Sequence, residues 1–462
     1  MIEGVKCMKR GKFLVIMALI LAVSMLASCN RGSGGGTASA KRKFTVAICG
    51  INLDDGVNVT TQANAQGYNT LATTLIKQKF PDLEIEFVAV PWDGADARIR
   101  TLLQSNGADL FNQGGAFMAQ YFKEGLSASL TPFMEKDQNW RFDDVFPANL
   151  KSHPHVLSYD GKDMVALPWA IGYRLIIYDS LLFDQWGVEY LSEYPTPEEI
   201  LDKARRMTGI NPVTGEQNYG VWLGANSLNM SFIIPASEHF GDIGVNGNFD
   251  DPRNLRWSLN SPGYVKAVQW AVDLARFSPP ASATGQGAEK FGLENNDIAI
   301  GVDRGGGPIM GVYYRTGNDR LIARFVPTMH MGTNGGNWTP VDGLGINASL
   351  RGANADMAWE LLKYIAGPEV TKWRFDNWGP SAMPYKNAAT NLYNPKDIFL
   401  IMNARVAAVS THPGYEVNPF YGSGIQPELA SMLSRSIAGR AVNVQAELDA
   451  LQAKAAAWSA SR

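Results

Sequence analysis

The chain has 462 residues, a formal net charge of −3 and only three cysteines. Near-neutral charge without long basic runs argues against a nucleic-acid partner. Cys7 and Cys29 lie in an N-terminal targeting segment, which leaves Cys49 alone and excludes a disulfide framework or a cysteine-based zinc site.

Lys9, Arg10 and Lys12 precede an apolar run from Phe13 to Leu26 that is short for a membrane span and closes on Leu26-Ala27-Ser28-Cys29. This pattern resembles a bacterial lipoprotein signal, in which Cys29 becomes the lipid-modified first residue of the mature protein. Met8 is an alternative start. Asn30 to Ala40 then forms a Gly/Ser tether with no large apolar residue. Roughly 420 residues remain, too many for one core, and so predict two domains.

Lys43 to Gly50 reads as a first buried strand containing Cys49 as a structural thiol. A helix with Leu71, Leu75 and Ile76 on its apolar face ends before Pro81. Leu83 to Val90 is the second strand, followed by Pro91-Trp92-Asp93-Gly94 and a helix through Ile99, Leu102 and Leu103. Asp109 to Phe111 is a short third strand, and Gly114-Gly115 opens a helix over Phe117 to Lys123. Alternating strands and helices predict a parallel sheet with helices on both faces. Ligands meet such sheets at the carboxyl ends of the strands, here Gly50 to Val57, Pro91 to Asp93 and Asn112 to Gly115.

Gly161 to Leu182 organises the rest. Pro168 interrupts an otherwise strand-like segment and cannot donate to a ladder, so the segment divides into two strands in different sheets. Pro168 to Gly172 is therefore the predicted hinge, with Trp169 facing the crevice. Beyond it, Thr196-Pro197-Glu198-Glu199 caps a helix reaching Met207. Tyr219 to Leu223 is a strand carrying Trp222, Ser261-Pro262 starts a helix, and Ile298 to Val302 is a strand ending at Asp303-Arg304-Gly305-Gly306-Gly307. Val341 to Ile346 is another strand, Ala355 to Ala366 another helix, and the chain from about Pro395 is mainly helical, with Leu448, Leu451 and Ala455 on one face.

Some signals point elsewhere and are weak. Gly305 to Gly307 lacks the following Lys-Ser/Thr of a nucleotide loop. His153-Pro154-His155 has metal-like proximity but no nearby carboxylate pair. Tyr313-Tyr314 resembles the tyrosines of iron receptors, but its surroundings do not. No metal or cofactor is expected.

Several blocks carry a resemblance in order across about 300 residues. Ala108-Asp109-Leu110-Phe111 and Gly125-Leu126-Ser127-Ala128-Ser129-Leu130-Thr131-Pro132-Phe133 match "PDVF … G-L-x-x-L-T-P". Gly161-Lys162-Asp163-Met164-Val165-Ala166-Leu167-Pro168, Ile177-Tyr178-Asp179-Ser180-Leu181-Leu182-Phe183 and Tyr194-Pro195-Thr196-Pro197-Glu198-Glu199-Ile200 match "GK-x-Y-G-L-P … YN-K-x-L-F … P-x-T-W-x-E-L". Ala358 to Glu369 matches a late "A-x-x-F-x-x-F-L-x-S-P-E" helix, and Trp378-Gly379-Pro380-Ser381-Ala382-Met383-Pro384 a "G-x-x-P" turn. The chain thus resembles the family 1 extracellular solute-binding proteins, sugar receptors of bacterial ABC importers related to maltose-binding protein. It departs from that pattern at Asp179, at Pro197 and at Gly305-Gly306-Gly307.

The resemblance implies an α/β, two-lobe clamshell of the type II periplasmic-binding-protein class, each lobe a mixed sheet flanked by helices and joined by a multi-strand hinge. It implies a signal peptide over 1–28, a tether over 29–41, a first lobe over 42–168 plus about 338–385, and a second over 169–337 plus about 386–462. The crossings fall at Pro168 to Gly172, near Asn337 to Asp342, and after Trp378. Closure around a mono- or oligosaccharide, followed by delivery to an ABC permease, requires no catalysis. A monomer tethered outside the cytoplasmic membrane is expected.

Sugar recognition needs rings stacked on C–H faces and polar groups matched to hydroxyls. The candidates are Trp92, Asp93, Asn112, Gln113, Trp169, Trp222, Asp303, Arg304, Trp338, Asp342 and Trp378, led by Trp169 and Trp338 beside the crossings. Trp270 and Trp359, inside helices, read as core. A phosphorylated polyol held by Arg304 and Arg174 is the alternative ligand. A secreted carbohydrate-active enzyme is the alternative class, although no carboxylate pair stands in a suitable frame for glycoside hydrolysis.

Overall fold

Ten strands build the framework of the computed structural model, which describes residues 42–58, 63–92, 94–172, 174–247, 250–304, 317–329, 331, 338–378, 383–387, 418 and 420–462. The strands are β1 (Arg42–Cys49), β2 (Leu83–Val90), β3 (Leu110–Gly114), β4 (Leu167–Ile171), β5 (Arg174–Asp179), β6 (Gly209–Ile210), β7 (Gln217–Val221), β8 (Ile298–Arg304), β9 (Phe325–Pro327) and β10 (Val341–Ile346). The apolar run of the signal, Cys29 and the tether lie outside the described residues. So do Asp93, Gly305 to Gly307, Tyr313-Tyr314 and Gly379 to Ala382.

The first sheet has the order β2-β1-β3-β10-β4 and the second the order β9-β5-β8-β7-β6. Only two residues separate the end of β4, in the first sheet, from the start of β5, in the second. The proline argument thus finds the sheet change but misplaces it by a few residues. Pro168 and Trp169 lie within β4, and the break follows at Gly172. Pro168 is tolerated because β4 is an edge strand, where a missing N–H costs no ladder bond, and because the register with β10 shifts at Asp342/Gly343 beside it.

Neither sheet is purely parallel. β1 and β3 pair parallel, but β10 runs antiparallel to both β3 and β4. In the second sheet β8 pairs parallel with β7 and antiparallel with β5. Local alternation forecasts the parallel pairs; the inserted antiparallel strand returns from far along the chain and leaves no local signal.

β1 shows why the first sheet is central to its lobe. Phe44, Val46 and Ile48 join one apolar cluster, with the helices Ala353–Ile365 and Pro368–Trp378 packed over it through Leu361, Leu362 and Val370. Ala47 and Cys49 point into another, with Ile99 and Leu103 of the helix Ala95–Gln104. Both faces are covered, so the strand reads as nearly continuous apolar sequence. Burial pushes the Cys49 thiol up to about 12, with the Asp342 charge adding to it, which keeps it an inert packing group at neutral pH.

The second sheet carries its own cluster. Ile176, Val221 and Ile300 pack with Val268 and Ala271 of the helix Pro262–Ala275, and with Leu433 and Leu448 from the helices Gln426–Ile437 and Val444–Ala460. Thr196 caps the helix Pro197–Arg206 by accepting from the Glu199 N–H at 3.2 Å. Ser261 caps Pro262–Ala275 in the same way. These helix starts were legible because a cap and an N1 proline act within four residues.

Candidate functional site

Two chain passages lie side by side between the sheets. The Gly172 N–H donates to Pro340 O at 2.8 Å, tying the outgoing passage to the returning one. A Cβ on Gly172 would lie 2.8 Å from the Arg174 guanidinium, so the glycine lets that group fold against the hinge backbone. On its other side the guanidinium sits 4.8 Å from the centre of the Trp338 ring, a cation–π contact. His155, buried, supports the return: its Nδ1 accepts from the Val341 N–H at 3.0 Å. Gly115 permits that approach, since a Cβ there would meet His155 Cβ at 2.1 Å. Sequence reading weighed His155 only as a metal ligand; its real partner lies 186 positions away.

The edge of the first sheet nearest these passages holds Ala170, Asp342 and Gly114 in one register row. Asp342 is half-buried, and its Oδ1 comes 3.9 Å from where a Gly114 Cβ would stand. Gly114 has no side chain to cover the carboxylate. Next along the edge, Gly50 (φ +67°) lies under the Trp92 indole, where a Cβ would meet Trp92 Nε1 at 2.3 Å. Trp92 is 50% exposed, which is unusual for the largest apolar side chain.

The other candidates of this lobe are engaged inside it. Asn112 was read as a loop residue, but β3 extends through Gly114 because β10 pairs with it, so Asn112 is a buried strand residue. Its Nδ2 donates to Gly343 O at 3.0 Å and its Oδ1 accepts from the Cys49 N–H at 3.3 Å, so both amide ends are taken. Gln113 likewise accepts from the Gly114 N–H at 2.8 Å and donates to Tyr121 Oη at 3.3 Å. Trp169 is 5% exposed and belongs to the first lobe's apolar cluster. The Arg374 guanidinium lies 3.6 Å from its ring centre and donates to its carbonyl at 2.6 Å. Trp378 is half-buried against the same cluster, and its Nε1 has no hydrogen-bond partner among the described residues.

In the second lobe, Arg304 pairs in register with Arg174 and Asp303 with Leu175, so the end of β8 reaches the hinge. The side chains of Asp303 and Arg304 lie outside the described residues. β7 runs parallel to β8, which brings its carboxyl end, and Trp222 after it, to the same edge. Trp222 is buried, donates from Nε1 to Gln286 O at 2.9 Å and packs over Gly224. Trp338 joins the second lobe's cluster at 8% exposure, and its Nε1 also lacks a partner among the described residues.

The carboxyl ends of β1, β2, β3, β7 and β8 thus converge on the hinge passages, the place where open α/β sheets take ligands. Across this crevice Lys123 Nζ, on the helix Met118–Lys123, approaches Asp250 Oδ1 at 3.4 Å. The pair is exposed, and such pairs contribute about 0.2–1 kcal/mol. Asp250→Ala should therefore change ligand affinity by no more than about fivefold in calorimetric titration; a larger change would make this contact a main latch of the closed form. Among the described residues, no group of three or more His, Cys, Asp and Glu is placed to hold a metal ion.

Two sheets joined by paired crossings, with a polar and aromatic edge between them, define a two-lobe binding protein of the type II periplasmic class. The chain belongs to the bacterial extracellular solute-binding protein family, whose model matches residues 60–372. Its members bind solutes and are not enzymes. A search of curated protein sequences found no significant match. Among solved structures it is similar to an ABC transporter solute-binding protein from Agrobacterium radiobacter K84 in complex with ribitol, at 19% identity, TM-score 0.70, and coverage of 90% of this chain and 98% of that one. It is also similar to one from Thermotoga lettingae bound with α-D-tagatose, at 17% identity, TM-score 0.67, and coverage of 90% and 100%. An ABC substrate-binding protein from Listeria monocytogenes in complex with cycloalternan gives 17% identity, TM-score 0.67, and coverage of 91% and 100%. Among the described residues no helix is long and apolar enough to cross a membrane.

Proposed function

We propose that this protein is the substrate-binding lipoprotein of an ABC importer, which closes on a mono- or oligosaccharide, or the related polyol, and presents it to a membrane permease. The observation that carries this reading is the half-exposed Trp92 indole seated on Gly50, on the same sheet edge as Asp342. An indole face receives the C–H face of a sugar, and a carboxylate accepts from two hydroxyls at once. The ligands named for the similar structures, ribitol, tagatose and cycloalternan, are all uncharged and polyhydroxylated, in keeping with such a site.

The remaining assignments follow. Trp92, Asp93, Asp303, Arg304, Trp338, Asp342 and Trp378 are the proposed ligand contacts. Asn112, Gln113, Trp169 and Trp222 shape the walls from within their lobes. Residues 1–28 act as the signal peptide, Cys29 carries the lipid, and 29–41 tether a monomer outside the cytoplasmic membrane. The first lobe comprises 42–168 with about 338–385, the second 169–337 with about 386–462. A phosphorylated polyol is the second reading, favoured by Arg174 and Arg304 standing opposite one another on neighbouring strands at the hinge.

Intrinsic tryptophan fluorescence titrated with a sugar and polyol panel, with glycerol phosphate esters beside it, tests both. Saturable binding of a neutral sugar recovered intact supports the first reading. Binding confined to the phosphate esters would replace it with the second, and no binding of either would end both.

A further inference from the structure

Glycine is a poor residue for a helical turn, where it costs backbone entropy and brings no side chain to pack. Gly422 nevertheless stands in the helical turn Tyr421–Ile425, which leads into the helix Gln426–Ile437 of the second lobe. Its φ is outside the left-handed region, so the backbone does not demand a glycine. Gly424 has a reason within its own lobe, since a Cβ there would stand 2.2 Å from the Phe420 ring. Gly422 has none. Among the described residues and beyond its own turn, the only heavy atoms within 4 Å of where its Cβ would stand are two carbons of the Phe117 ring, both at 3.4 Å. That ring belongs to the first lobe.

The contact joins two surfaces rather than two halves of one core. Phe117 is half-buried and packs on the apolar cluster of Ile99, Leu103 and Tyr121, whereas Phe420, Tyr421 and Ile425 belong to the cluster of the second sheet. Among the described residues, no strand or helix of one lobe packs broadly on a strand or helix of the other. Phe117 immediately precedes the helix Met118–Lys123, whose Lys123 makes the exposed contact with Asp250, so one first-lobe segment touches the second lobe at both of its ends. Contacts of this kind can part without unmaking either core, while the lobes stay joined at Gly172 and Pro340. The segment also starts from Gly114, at the end of β3 beside Asp342, so the contact lies next to the proposed ligand edge.

We infer that the Phe117 ring and Gly422 form the contact that limits closure of the lobes, so the missing side chain at position 422 sets ligand affinity from outside the ligand contacts. The inference rests on the sugar-receptor reading and names what governs closure on that ligand. Measured affinity is the intrinsic affinity of the closed form reduced by the fraction of molecules able to close. A methyl group at position 422 would only touch the ring. A longer side chain needs the space the ring occupies when the lobes meet, so it disfavours the closed form alone and is accommodated in water when they part.

The test is calorimetric titration of the full-length mature protein with maltose, ribitol, D-mannitol and D-tagatose, beside the ligand-free melting temperature. Gly422→Leu should weaken the probe that wild type binds by about ten- to a hundredfold, while its ligand-free form melts no lower than wild type. Gly422→Ala should bind within about threefold of wild type, because its methyl reaches only contact distance. Adding Phe117→Ala to Gly422→Leu makes room for the leucine and should bring affinity to within about threefold of Phe117→Ala alone. If Gly422→Leu binds as wild type does, the closure contact is overturned and the receptor reading stands. A lower ligand-free melting temperature for Gly422→Leu overturns it too, because the contact would then be fixed packing rather than one made on closing. Failure of Phe117→Ala to restore affinity overturns it as well, since the leucine would be acting on some other neighbour. A wild type that binds none of the four probes overturns the sugar-receptor reading and this inference together.

Discussion

Replacing Trp92 with alanine is expected to cut ligand affinity by about ten- to a hundredfold while leaving the melting temperature within a degree or two of wild type. The asymmetry follows from exposure. Half of the indole already faces solvent, so its removal deprives the folded state of little and belongs with surface substitutions of about ±0.5 kcal/mol. A sugar ring laid on the same face buries the rest of it, and such burial with its ring contact is worth about 1.5–3 kcal/mol. Gly50→Ala should reproduce part of the loss from the opposite side. Its backbone is in the left-handed region, and the new methyl would stand 2.3 Å from Trp92 Nε1, so the indole must move. A Trp92→Ala protein that binds like wild type, measured by titration calorimetry, would remove the aromatic platform from the site.

That exposure was not legible in the sequence. Trp92, Trp169, Trp222 and Trp338 all follow or border strands, and sequence position ranked Trp169 and Trp338 first because they flank the crossings. Of these four, Trp92 alone is substantially exposed, while Trp169 lies beneath Arg374, Trp338 beneath Arg174, and Trp222 is buried. Both arginines arrive from elsewhere in the fold, Arg374 from a helix 205 positions away, and no local pattern reports such a cover. The same holds for Asn112, whose burial depends on β10 pairing with β3 across more than 200 residues.

Local chemistry was read more faithfully. β2 and β10 occur with the boundaries the sequence gives them, and the capped helices begin at their proline-marked positions. Strand periodicity, caps and prolines act within a few residues, whereas sheet order and side-chain cover are set by contacts between distant segments. The two-lobe architecture was accessible by resemblance; the hinge packing of Gly172, Arg174 and Trp338 required coordinates.

Arg324→Met should destabilise the second lobe by about 3–5 kcal/mol, the cost of leaving a buried carboxylate without its cation. Asp179 stands where the family pattern has asparagine, and the substitution is compensated in space. Its side chain is fully buried, Arg324 donates to both of its oxygens, and the Asn296 amide and the Leu181 N–H supply further bonds at 2.7 and 3.1 Å. Removing only the arginine strands the negative charge. Asp179→Asn is the milder change, because Arg324 keeps the Glu294 carbonyl at 2.9 Å and 13% side-chain exposure to water. Combining Asp179→Asn with Arg324→Met restores the uncharged asparagine of the family pattern and should recover most of the loss, since the buried charge is then gone. Thermal unfolding of the four proteins gives the order wild type, double variant, Asp179→Asn, Arg324→Met from most to least stable. If Arg324→Met melts within a degree of wild type, the Asp179 carboxylate is not held by this pair, and the departure at position 179 needs another physical explanation.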